Sequence, residues 1–166
     1  MTDWIKLSED EDEMVWNKFK EQFQFSPSVY KKDWPGIKEP YNSITYDISF
    51  VFDEPKRERL EKNLEEKLVK AFRNIIRIND YIYAFDWQHE SYRFQPHSIN
   101  KNDWIIPFLP DGEYYIFFTE DLNNGIFSHP WEQSICLFGK ELISAIEMDP
   151  PKMFIRTLRK HGSRES

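Results

Sequence analysis

Apolar residues recur along this chain with two periods, and the switch between them marks its elements. Behind Ser8 and Glu11, the pair that forms a capping box, Val15, Trp16, Phe19 and Phe23 fall at helical spacing and predict a helix over 9–23. The acidic run from Glu9 to Glu13 fills its first turn, where it meets the positive end of the helix dipole and reads as solvated surface. Pro27, Pro35, Gly36 and Pro40 break the next segment too often for a regular element, so 25–41 reads as a strap packed by Tyr30 and Trp34. From Ser43 the period becomes two: Ile44, Tyr46, Ile48, Phe50 and Phe52 alternate with Thr45, Asp47, Ser49 and Val51, the pattern of a strand over 43–52 with one face on a core.

Helical spacing returns with Leu60, Leu64, Leu68, Ala71, Phe72 and Ile75, and Asp53 and Pro55 suit its start, so a long amphipathic helix is predicted over 55–76. Its opposite face mixes Lys, Arg and Glu as a solvated surface does. Residues 81–87 alternate again and are apolar on both faces, as in a central strand. Tyr92 and Phe94 mark a short return strand ended by Pro96, giving a hairpin with Asp86, His89 and Arg93 near its tip. Residues 97–111 read as a loop anchored by Trp104, Ile105 and Ile106. The runs 114–118 and 135–138 then predict two antiparallel strands joined by a structured polar loop. Within that loop Asp121 to Gly125 resembles a calcium loop faintly, but without its closing glutamate or flanking helices it reads as a turn. A helix in KELISAIEM stops at Pro150 and Pro151, followed by a docked helical turn and a basic tail that frays from about residue 159.

These elements predict an α+β fold: one domain over 1–166 with an antiparallel sheet of about five strands and two to three helices packed on one face. The composition sharpens this. An aromatic share of 17% makes the core one of rings. The net charge of −7 argues against gripping phosphates, so no nucleic acid is expected, and an acidic surface favours a basic protein partner. Cys136 is the single cysteine and excludes an intramolecular disulfide or a cysteine metal cluster; lying in an apolar run, it is expected to be a buried, inert thiol. No apolar stretch reaches the length of a membrane span and no leader pattern opens the chain, so a cytoplasmic protein away from membranes is expected.

Candidate chemistry gathers in two turns. FDWQHESYRF and FSHPWEQSICLF each set a tryptophan, a histidine and a carboxylate at a strand end. Should the turns meet, Asp86, His89, His129 and Glu132 complete a set for acid/base work, and His89, His129 and Glu132 offer ligands to a divalent metal. In the plainer alternative the same groups only fasten two aromatic-lined turns, with Trp87 and Trp131 both at least half buried beside the sheet. No GxSxG, Walker or dinucleotide motif occurs, and no organic cofactor is expected.

The segments SITYDISF (43–50), FDWQHESYRF (85–94) and PDGEYYIFFTEDLNNGIFSHPWEQSICLFG (110–139) resemble a Bacillus-type bacterial family of uncharacterised proteins, a domain of unknown function. The resemblance spans nearly the whole chain, is most specific in DWQH and HPWE, and implies a bacterial origin without implying an activity. Two functions remain open. One is a non-catalytic binding or interaction protein, of which an immunity-type inhibitor covering a basic toxin is one form. The other is a small metal-dependent or acid/base hydrolase built on the His/carboxylate set.

Overall fold

The computed structural model describes residues 4–98 and 105–162. The expected anchor Trp104 lies outside them. In chain order the elements are β1 (Trp4–Lys6), α1 (Glu9–Phe23), β2 (Ser43–Asp47), α2 (Arg57–Ile75), β3 (Ile82–Asp86), β4 (Ser91–Phe94), β5 (Tyr115–Thr119), β6 (Gly125–His129), β7 (Ser134–Phe138), α3 (Lys140–Met148) and β8 (Thr157–His161). The strands form one antiparallel sheet in the order β1-β4-β3-β5-β6-β7-β2-β8.

The fold is α+β, but the sheet has eight strands where about five are expected. The three additions have separate causes. β1 is too short to show a period. β6 lies inside the segment expected to be a loop, because GIFSH is buried on both faces and a tight turn at each end compresses it between its neighbours. β8 replaces the expected helical turn and occupies the start of the tail expected to fray, since β2 offers it a free edge and Asp47 donates its backbone N–H to the Arg156 carbonyl at 2.8 Å. The strand expected over 43–52 is cut short in turn: the Asp47 carboxylate accepts the Ser49 N–H at 2.8 Å, and 49–53 winds into a 3₁₀ helix that sends Ile48 and Val51 into the core.

Helices cover both faces, not one. α2 and α3 set Leu64, Leu68, Phe72, Leu142 and Ile146 against Ile82, Ala84, Phe117, Ile126, Ile135 and Leu137. On the other face α1 sets Val15, Phe19 and Phe23 against Tyr83, Phe85, Phe118, Phe127 and Phe138. The cause is in the central strands: β3, β5, β6 and β7 carry apolar residues at odd and even positions, so both faces need cover, and each fully buried ring contributes about 1.5–3 kcal/mol. α1 begins at its predicted cap, where Ser8 Oγ accepts the Glu11 N–H at 3.2 Å. The strap follows α1 across the same face, tied down by the Ser26 N–H to the Gly36 carbonyl and the Lys38 N–H to the Phe23 carbonyl, both 2.7 Å.

Cys136 is buried in that second cluster, and burial pushes its thiol far above the ordinary range. Thiol reagent is expected to label it only at the rate of global unfolding; rapid labelling of folded protein contradicts this placement.

Candidate functional site

The β6–β7 turn is organised around a histidine that cannot act as a base in this arrangement. His129 is fully buried, and its Nδ1 accepts two backbone N–H groups, from Trp131 at 3.2 Å and Glu132 at 3.0 Å. Both bonds require a lone pair on Nδ1, so the neutral ring carries its proton on Nε2. Tyr114, Trp34 and Phe127 pack around it with ring centroids 4.8, 5.4 and 6.1 Å away. Among the described residues the buried Nε2 has no hydrogen-bond partner; it faces Gly36, where φ is +80° and an added Cβ would lie 3.7 Å from Nε2 and 3.2 Å from the Ser26 carbonyl. Desolvation lowers the His129 pKa from the ordinary 6.5 to about 4, against an upward pull from Glu132 and with further lowering by Arg159.

Glu132 is equally committed. Arg159 on β8 donates Nη1 to Glu132 Oε2 at 2.9 Å and Nη2 to Oε1 at 2.7 Å, and Ser134 Oγ donates to Oε1 at 2.6 Å. The same guanidinium donates Nε and Nη2 to Glu39 of the strap at 2.8 and 3.0 Å, while Thr45 Oγ1 and His161 Nε2 complete the shell of Glu39. The carboxylates are almost enclosed, with side-chain exposures of 4% for Glu39 and 10% for Glu132. Burial alone would raise the Glu39 pKa, but the Arg159 and Thr45 hydrogen bonds outweigh it and hold the carboxyl below its ordinary value. One arginine therefore fastens strap, turn and edge strand together. Ser134 is not paired with the histidine: its hydroxyl donates to Glu132, a carboxylate held by Arg159, and the Nδ1 of His129 is occupied by two backbone donors.

The β3–β4 turn holds a second group. His89 Nδ1 lies 3.0 Å from Asp86 Oδ1, an approach fixed by the turn, in which the His89 N–H reaches the Asp86 carbonyl at 2.9 Å. Register brings in a residue that sequence spacing did not suggest. Asp86 stands opposite Tyr115, so Glu113, just before β5, comes alongside, and single ligand-capable atoms of Asp86, His89 and Glu113 all lie within 4.8 Å of one another. Desolvation raises the Asp86 pKa despite the contact with His89; the Asp86 hydrogen bond in turn raises that of His89.

The four residues singled out in the sequence thus fall into two pairs. Asp86 shares the face of Tyr115, which packs with α2 and α3; His129 follows Phe127 on the α1 face, two strands away. Among the described residues no hydrogen bond or ion pair joins the pairs; the turns are linked through aromatic rings, by Tyr114, 5.4 Å from Trp87 and 4.8 Å from His129, and by Phe25, which packs on both Trp87 and Phe127. The tryptophans also differ. Trp87 is partly buried against Phe25 and Tyr114, whereas Trp131 is 52% exposed, short of the expected half burial.

Comparison with known proteins agrees with the resemblance in the sequence. Residues 6–143 match the family described as "Protein of unknown function (DUF2716)", and the chain belongs to that family. It is 33% identical over 162 residues to the uncharacterized protein YxiI of Bacillus subtilis (strain 168), an alignment covering 93% of this chain and 98% of the relative. No solved structure matches. No helix among the described residues is long and apolar enough to cross a membrane.

Proposed function

We propose that this member of a family of unknown function is a non-catalytic interaction protein whose β6–β7 turn presents Trp131 to a protein partner. The observation that supports it best is the contrast within that turn: Trp131 is 52% exposed, yet its backbone N–H is held by the buried His129 and the next side chain is locked by Arg159. A large indole on a rigid support loses little conformational freedom on binding, which is what makes tryptophan an energetic anchor at interfaces. The strap adds to the same region. Ser28 is held at both backbone groups by the Tyr114 hydroxyl at 3.0 and 3.2 Å, Trp34 packs on His129, and between them Val29 and Tyr30 stand 52% and 65% exposed.

The charge of −7 and the acidic opening turn of α1 favour a partner with a basic surface, as an immunity-type inhibitor would need. The test is calorimetry against purified products of the genes flanking its own. Trp131→Ala is expected to weaken binding by at least about tenfold, with Tyr30→Ala in the same direction and the melting temperature unchanged. Wild-type affinity in both variants, or no binding by any flanking product, contradicts the proposal.

The hydrolase reading draws support from Asp86, His89 and Glu113 rather than from the four residues first singled out. In its acid/base form it would need His129 released from its two backbone donors.

A further inference from the structure

We infer that Asp86, His89 and Glu113 form a binding site for one divalent transition-metal ion of the zinc class, with the remaining coordination positions open to solvent.

The donor set suits such an ion. One imidazole nitrogen and two carboxylate oxygens are all zinc ligands, and a tetrahedral ion with bonds of about 2.0–2.2 Å sets neighbouring donors about 3.3 Å apart. Asp86 Oδ1 and His89 Nδ1 already stand 3.0 Å apart, close to that spacing. Glu113 completes the triangle within 4.8 Å, a gap that a small torsional change in a long, partly exposed side chain closes. Two of the three ligands are held by backbone: Asp86 by its pairing with Tyr115, and His89 by the turn bond to the Asp86 carbonyl.

Local charge favours a cation. Among the described residues neither Asp86 nor Glu113 has a lysine or arginine partner, and the nearby Arg57 is engaged by Asp111. Binding displaces whatever proton His89 Nδ1 shares with Asp86 and leaves the metal in its place. The site is independent of Trp131 and the strap, so it stands or falls apart from the interaction face.

The experiment is calorimetric titration of zinc chloride into the untagged full chain after chelator treatment. One equivalent is expected to bind saturably, with affinity falling by at least about tenfold in His89→Ala and again in Glu113→Gln. His161→Ala, which touches the Glu39 network instead, is expected to bind as wild type. Melting of each metal-free variant confirms that its fold is kept; His89 and Glu113 reach solvent, so both variants are expected to fold. Absence of saturable binding, or one equivalent bound with unchanged affinity by both the His89 and Glu113 variants, overturns the inference.

Discussion

Arg159→Met is expected to cost about 3 kcal/mol of stability in urea unfolding, although the residue lies close to the end of the chain. The guanidinium is the shared partner of two nearly enclosed carboxylates, with side-chain exposures of 4% for Glu39 and 10% for Glu132. Removing it leaves two adjacent buried charges that solvent reaches poorly. The loss lies at the lower end of the range for a broken buried pair, because the guanidinium itself is 27% exposed. Adding Glu39→Gln to this variant is expected to restore part of the loss, since a neutral amide removes the repulsion between the carboxylates. A cost below about 0.5 kcal/mol, the range of ordinary surface substitutions, contradicts the fastening role of Arg159.

The second large effect is a loss of stability between pH 6.5 and pH 4. The His129 pKa in the folded state is lowered from 6.5 to about 4, so within that window the unfolded chain binds the proton and the folded chain does not. Stability therefore rises with pH across the window and falls as pH drops below 6.5. Each tenfold difference in proton affinity between the folded and unfolded chain is worth about 1.4 kcal/mol, which brings the total to about 3 kcal/mol. The other prominent depressed groups, Glu39 and Asp149, are carboxyls and lose their contributions at or below the ordinary carboxylate range. Asp86 and Glu61, whose carboxyls burial raises, act in the opposite sense at the acid end of the window, so the fall in stability toward low pH is carried by His129. His89 has the opposite sign, because its raised pKa gives a contribution that is lost as pH rises, and it is exposed. Urea midpoints from pH 7 down to pH 4.5 should fall steadily, and a flat profile over that range contradicts a buried neutral His129.

What the sequence disclosed follows from how local each signal was. α1, α2 and α3 carry their own periodicity, and Ser8 with Glu11 even marks the cap, so these elements can be read from neighbouring residues alone. β6 and β8 cannot. GIFSH looks like a polar loop until β5 and β7 stand on either side of it, and TLRKH looks like a loose basic tail until the edge of β2 is available. The number of covered faces was partly visible, because residues 81–87 are apolar on both sides; that observation alone called for helices on both.

The candidate site divides in the same way. The Asp86–His89 contact is three residues long and readable from the turn. Glu113 joins it only through the register of β3 and β5, and Arg159 reaches Glu132 only through the order β7-β2-β8. His129 was visible as a chemical group but not as a fastened one, because its role is set by two backbone donors within its own turn rather than by any neighbouring side chain.

Nitrogen-15 NMR of His129 is the most direct test of whether the turn is a rigid support rather than a catalytic centre. The account predicts an imidazole protonated only on Nε2 at pH 7, with two backbone N–H groups bonded to Nδ1 and a titration midpoint near 4. A ring protonated on Nδ1, or one titrating near the ordinary 6.5, would contradict it.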